Sequence, residues 1–215
     1  MFLIYGLVVF IFICVALSLW YSSKDHYFAG IFKMFASTGF IVLCVLCVQA
    51  GGISGAYGLV ILAGLTLSWW GDMFLISKSA PIFMMGLIAF FLAHVAYCVA
   101  FVLHGVSLYP ALCALGVMLI FGAPVVYWLY PYLGKMRVPV LSYMAVITLM
   151  VVLAAATSFV SKNYVILAGA ILFYGSDLFV ARDRFVGEHR LNRIVGLPMY
   201  YLGQVLLAFS VIYET

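Results

Sequence analysis

Residues 82–103 read IFMMGLIAFFLAHVAYCVAFVL, a run without a formal charge whose most polar side chain is His94. At 1.5 Å per residue it makes a helix of roughly 30 Å, the thickness of a bilayer's hydrocarbon core. The run lacks the two-residue alternation of a barrel strand, and only a helix satisfies so continuous an apolar backbone in lipid. Similar runs stand on both sides. Cut at the polar breaks, the chain gives spans 2–21, 31–49, 55–75, 82–103, 108–130, 138–159, 163–181 and 194–213. The expectation is an all-α polytopic membrane protein with eight transmembrane helices in a single transmembrane domain, residues 1–215.

Composition agrees. Of 215 residues, 68% are apolar and 7% charged, against about 25% charged in soluble domains, so nothing remains for a soluble domain beside the helices. The five cysteines, Cys14, Cys44, Cys47, Cys98 and Cys113, all fall in apolar runs. Cys44-x-x-Cys47 has no second ligand pair, so they read as small packing residues, with no metal site. No basic n-region and no small-residue cleavage site precede Trp20, so the first run reads as a retained helix.

The basic residues set an orientation. Lys24, Lys33, Lys78, Lys135, Arg137, Arg182, Arg184, Arg190 and Arg193 follow the first, third, fifth and seventh spans, against Lys162 alone on the other side. By the positive-inside rule that side is cytoplasmic and both termini are not; in a bacterium the protein would sit in the inner membrane. The net charge of +4 is thus a topology signal, not evidence for nucleic acid.

Two stretches repeat at a distance of four helices. Leu67-Ser-Trp-Trp-Gly-Asp72-Met-Phe74 resembles Leu172-Phe-Tyr-Gly-Ser-Asp177-Leu-Phe179, and Phe91-Leu-Ala-His94-Val95 parallels Tyr201-Leu-Gly-Gln204-Val205. Four being even, such halves run in the same direction, as two parallel four-helix repeats. Asp72 and Asp177 should then face each other about a pseudo-twofold axis along the membrane normal.

These aspartates are the only carboxylates inside spans, and both sit near the cytoplasmic end. Such residues cost about 2.5 to 3.5 kcal/mol at a helix centre and usually face the bundle interior. A purely structural reading has them snorkel or pair with a nearby lysine or arginine. Gly64 and Ser68 share a face with Asp72, and Gly71, Gly175 and Ser176 adjoin the acids, so close helix packing should hold the pair rigidly. Other polar groups come to similar depth: Lys33 and Ser37 in the second span, His94 and Tyr97 in the fourth, Tyr143 in the sixth, and Gln204 above Tyr200 and Tyr201 in the eighth. The connection from Arg182 to Arg193 reads as a solvated loop.

From about Lys33 to Ala208 this constellation resembles the YhhN family, the lysoplasmalogenase family of multi-pass membrane proteins. The resemblance rests on Gly71-Asp72, Gly86-x-x-x-Phe90-x-x-x-His94-x-x-Tyr97, Tyr143-x-x-x-Ile147-x-x-Met150, Ser176-Asp177-x-x-x-Ala181 and Tyr201-x-x-Gln204 in this order. One departure is Met34, where the family tends to have proline. The resemblance implies eight helices and metal-free hydrolysis of the vinyl ether bond of lysoplasmalogens to a fatty aldehyde and a glycerophospho-base. It also implies catalytic roles for Asp72 and Asp177.

A vinyl ether opens when its terminal vinyl carbon is protonated and water captures the resulting oxocarbenium ion. One carboxyl kept protonated by burial and mutual repulsion, beside an ionised neighbour, supplies both acid and base. Which aspartate is the acid is not written in the sequence; the expectation carried forward is Asp177 as the acid and Asp72 as the base. Lys33, His94, Tyr97, Tyr143, Tyr201 and Gln204 are the expected substrate-binding residues. Lys33 would meet the phosphate of the lysophospholipid and Phe90 and Phe101 its tail. Two rival readings also use paired membrane aspartates. An intramembrane aspartyl protease would need Gly-x-Gly-Asp, which Trp69-Trp70-Gly71-Asp72 lacks; a proton-coupled transporter or lipid carrier would place its acids nearer the midplane.

Overall fold

The computed structural model describes residues 2–51, 55–77 and 79–213. Lys78, used above for the charge bias, lies outside these. Eight α-helices follow one another: α1 Phe2–Tyr21, α2 His26–Gly51, α3 Ala56–Phe74, α4 Ala80–Leu103, α5 Leu108–Leu129, α6 Arg137–Ser161, α7 Tyr164–Ala181 and α8 Arg190–Phe209. No strand occurs among the described residues.

Seven of the eight are long and apolar enough to cross a membrane. The exception is α3, whose Ser68-Trp-Trp-Gly-Asp72 end lowers its mean hydropathy. Its polar residues Ser68 and Asp72 are nonetheless buried within the protein, so they face no lipid.

Two helices begin earlier than hydropathy suggests, and each start is a polar cap. Asp25 accepts from the backbone amides of Tyr27 at 2.8 Å and Phe28 at 3.4 Å, which starts α2 at His26 rather than near 31. His189 accepts from Leu191 N through its side chain at 3.3 Å, starting α8 at Arg190 rather than 194. The segment after α7, expected as loop, continues as a π-helical turn, Arg182–Val186. Gly187 N closes it on Arg182 O at 3.0 Å.

Helices α2, α3, α4, α6, α7 and α8 pack side to side in a closed ring, each on the next and α8 back on α2. Helix α1 lies outside on α2 and α8, and α5 lies outside on α6. Leu129 is the one buried residue of α5, so that helix sits on the outer side of the bundle. Exchanging α1–α4 with α5–α8 maps the ring onto itself, because the seam α4 with α6 corresponds to the seam α8 with α2. This is the packing expected of two parallel four-helix repeats.

Glycine sets how close the ring members come. A Cβ on Gly203 of α8 would stand 2.9 Å from Gly169 O of α7, and one on Gly169 would stand 3.0 Å from Gly203 O, so these helices meet backbone to backbone. On α3, the space a Cβ would take at Gly64 is filled by the Tyr97 ring and at Gly71 by the Phe90 ring.

The two ends of the bundle differ. Away from the basic connections, Tyr57 OH and Ser210 Oγ lie 2.6 Å apart, Asn163 Nδ2 donates to Ser210 O at 3.0 Å, and Thr157 Oγ1 donates to Phe101 O at 2.7 Å. These bonds tie that end together, whereas the basic end holds the cavity described below. Gly203→Val should wedge α7 from α8. Overpacking of this kind costs about 1 to 3 kcal/mol, read as a lowered unfolding temperature of the detergent-purified protein.

Candidate active site

A carboxyl taken out of water needs donors, so the partners of Asp72 and Asp177 decide what each can do. Asp72 is 2% exposed. Lys33 Nζ, from α2, lies 3.1 Å from its Oδ1 and 3.3 Å from its backbone oxygen. Oδ2 accepts from Ser37 Oγ of α2 at 2.6 Å and from Tyr200 OH of α8 at 2.7 Å. Lys33 and Ser37 are one turn apart, so one face of α2 supplies both the cation and a hydroxyl. Tyr201 completes the knot: its OH donates to Lys33 O at 2.9 Å and lies 2.9 Å from Ser37 Oγ.

Asp177 is held differently. Tyr143 OH, from α6, donates to its Oδ2 at 2.5 Å. His94 Nε2, from α4, stands 3.9 Å from the same oxygen. His94 Nδ1 is 2.6 Å from Phe90 O; a carbonyl only accepts, so Nδ1 carries a proton and Nε2 is the ring atom turned toward Asp177. That nitrogen is buried without a hydrogen-bond partner. No lysine or arginine pairs with Asp177 among the described residues, and its side chain keeps 19% exposure. The ion pair that a purely structural reading expects is present at Asp72 and missing at Asp177.

Both acids line one cavity of about 350 Å³ at the basic end of the ring, within the usual range for small-molecule sites. Of the residues expected from sequence, Lys33 and Tyr143 line it as well. His94, Tyr97, Tyr201 and Gln204 are not among its lining residues. His94 meets its wall at Asp177, Tyr143 and Phe90, and Tyr201 at Lys33. Tyr97 OH donates to Gln204 Oε1 at 2.8 Å and lies 3.5 Å from Ser68 Oγ; all three are buried in the core. Phe90 lines the cavity beside Leu87 and Ile147, while Phe101 is fully buried elsewhere. Tyr200, which sequence marks only as a neighbour of Gln204, is a direct ligand of Asp72 and a wall of the cavity. The signal available for it was its place one turn before Gln204 on a face already carrying polar groups.

The seams of the ring repeat this chemistry. Each acid receives one helix of its own half, α2 for Asp72 and α6 for Asp177, and the fourth helix of the other half, α8 or α4. Where α8 offers a tyrosine hydroxyl, α4 offers an imidazole nitrogen.

The YhhN family model matches residues 28–211. No curated protein and no solved structure matches the chain.

Lys33→Met leaves the buried Asp72 carboxylate without its cation. Breaking a fully buried pair costs roughly 3 to 5 kcal/mol; since Lys33 is 16% exposed, we expect about 2 kcal/mol. Thermal unfolding reads it. Adding Asp72→Asn should recover part of the loss, so the double variant falls short of the sum of the single ones.

Proposed function

Because the chain belongs to the YhhN family, we propose that it is a membrane-embedded hydrolase opening the vinyl ether bond of lysoplasmalogens by carboxylate acid and base catalysis. The observation that carries this reading is the contrast between two carboxyls on one cavity. Asp72 meets a cation and two hydroxyl donors, the surroundings of a carboxylate anion. Asp177 meets one hydroxyl and the His94 ring at 3.9 Å, with no lysine or arginine beside it among the described residues, so it is the group suited to hold a transferable proton.

In the proposed reaction Asp177 gives its proton to the terminal vinyl carbon, and the adjacent carbon and ether oxygen share the positive charge. The Asp72 carboxylate stabilises that cation and takes a proton from the water that attacks it. A hemiacetal results. Asp72 then returns its proton to the departing glycerol oxygen as the carbon–oxygen bond breaks, while the hemiacetal hydroxyl gives its proton to Asp177. The aldehyde and the glycerophospho-base leave, and both carboxyls are back in their starting states.

Lys33 acts here by orienting and neutralising Asp72, a role that replaces the phosphate contact expected from sequence. His94 and Tyr143 position Asp177, and Tyr97, Tyr201 and Gln204 support the core behind the acids. With the basic connections on the cytoplasmic side, a single-chain lipid enters from that leaflet and lays its tail along Leu87, Phe90 and Ile147. The hydrogen bonds tying the opposite end favour this reading over a carrier that opens to both faces.

The deciding measurement is aldehyde release from a lysoplasmalogen and from the matching ester lysophospholipid by protein purified in detergent. Only the vinyl ether should yield aldehyde. Asp177→Asn should lower kcat about a thousandfold and Asp72→Asn about a hundredfold, within the usual worth of general acid–base groups. Mild and equal losses in folded variants would remove the distinct roles given to the two acids.

A further inference from the structure

Asn192, in the first turn of α8, is 2% exposed and lines the cavity that holds both acids. Its amide nitrogen is engaged by the turn before it, donating to Asp183 Oδ1 at 3.1 Å and to Gly187 O at 3.4 Å. Reversing the amide would set its oxygen against both of those oxygens, so the orientation is fixed. The other half of the group serves nothing in the fold. Asn192 Oδ1 is buried without a partner, and a buried acceptor in that state destabilises the protein until a donor arrives.

The acceptor is also held in place. Asp183 Oδ1 takes a second bond from His189 N at 3.0 Å, and Asp183 Oδ2 stands 3.5 Å from Arg193 Nε, so the residue that anchors Asn192 is itself anchored on both sides. A polar group fixed before a ligand binds adds specificity with little ordering cost. An amide oxygen is neutral and only accepts, so it recognises a donor and not a phosphate. The glycerol of a single-chain lipid carries such a donor, the hydroxyl on its second carbon. In a two-chain lipid that position is esterified.

Depth fits as well. A Cβ on Gly196 of α8 would stand 2.9 Å from Phe179 Cβ and 3.5 Å from Ser176 O, so Gly196 is level with Asp177, which lies between those two residues of α7. Asn192 is four residues nearer the basic end, about 6 Å at 1.5 Å per residue. From the terminal vinyl carbon to the hydroxyl oxygen is a path of five bonds, roughly 6 Å when extended at about 1.2 Å per bond. A lipid that offers its vinyl carbon to Asp177, with its tail along Phe90 and Ile147, thus carries this hydroxyl to the level of Asn192.

Resting on the hydrolase reading for where the ether sits, we propose that Asn192 is a specificity-determining residue that recognises the free glycerol hydroxyl of a single-chain lipid, which donates to its Oδ1. An ester at that carbon has no hydrogen to give and sets its own oxygens against the amide oxygen. A two-chain lipid is therefore refused by an unmet buried acceptor as well as by bulk.

The test is binding of saturated alkyl-ether lipids, which have no vinyl bond to cleave, to the full chain purified in detergent, followed by tryptophan fluorescence. All carry one chain length and phosphocholine, whose trimethylammonium has no N–H, so a glycerol hydroxyl is the one donor any of them can offer. Three ligands bear hydroxyl, hydrogen or methoxy at the second carbon. The hydroxyl lipid should bind at least about tenfold tighter than either of the others, the worth of one hydrogen bond whose loss strands a buried acceptor. Asn192→Ala should weaken the hydroxyl lipid about tenfold and leave the hydrogen lipid within about twofold, whereas mere loosening of the turn would weaken both alike. Equal binding of the three ligands by the native protein would overturn the proposal whether or not the variant folds. A hydroxyl preference that survives Asn192→Ala, or an equal loss for both lipids, would overturn it too. A preference that vanishes in the variant while the native protein releases no aldehyde from a lysoplasmalogen would instead remove the vinyl ether chemistry and leave the Asn192 subsite standing.

Discussion

A carboxylate cut off from water has to be met by donors, and at Asp72 those donors come from two other helices. Lys33 and Ser37 bring α2 to α3, and Tyr200 brings α8 to both. The seam that closes the ring between its first and last members is therefore held by one buried charge. At the opposite seam Tyr143 and His94 converge on Asp177 from α6 and α4. In a bilayer, where apolar side chains gain little by leaving lipid for protein, polar contacts and close backbone packing are what tell helices which neighbours to choose. Of these groups the two acids, Lys33, Tyr143 and Tyr200 also face its cavity.

Much of this frame is legible in the sequence because lipid imposes a simple rule on each span. Continuous apolar runs fix the number and order of the helices, and the paired Asp motifs anticipate both the doubling and the shared depth of the acids. The helix starts at His26 and Arg190 escape that reading, since Asp25 and His189 act as caps inside polar segments where hydropathy carries no signal. The π-helical turn after Ala181 escapes it too, because the charged residues there look like an ordinary loop.

Within the site, the acids, Lys33 and Tyr143 can be singled out as polar groups that lipid would not tolerate. So can Ser37 and His94, which meet the two acids, but not Tyr200. Tyr200 meets Asp72 across 128 residues of chain, and an aromatic residue among many in apolar helices gives no sign that its hydroxyl is committed. Nor does the sequence show that an anion supplied by the fold itself, Asp72, stands 3.1 Å from Lys33. His94, Tyr97, Tyr201 and Gln204 stand out in the sequence by the same polarity, and only the packing shows that none of them lines the cavity.

The near-equivalence of the two halves bears on how such a site could arise. Two identical four-helix units facing each other would carry identical carboxyls, each with the same neighbours, and neither could be assigned the proton. Joined in one chain, the halves are free to change singly. The tyrosine on α8 and the histidine on α4, at matching seams, are differences of that kind. Covalent linkage of a symmetric frame thus permits a division of labour that symmetry alone forbids.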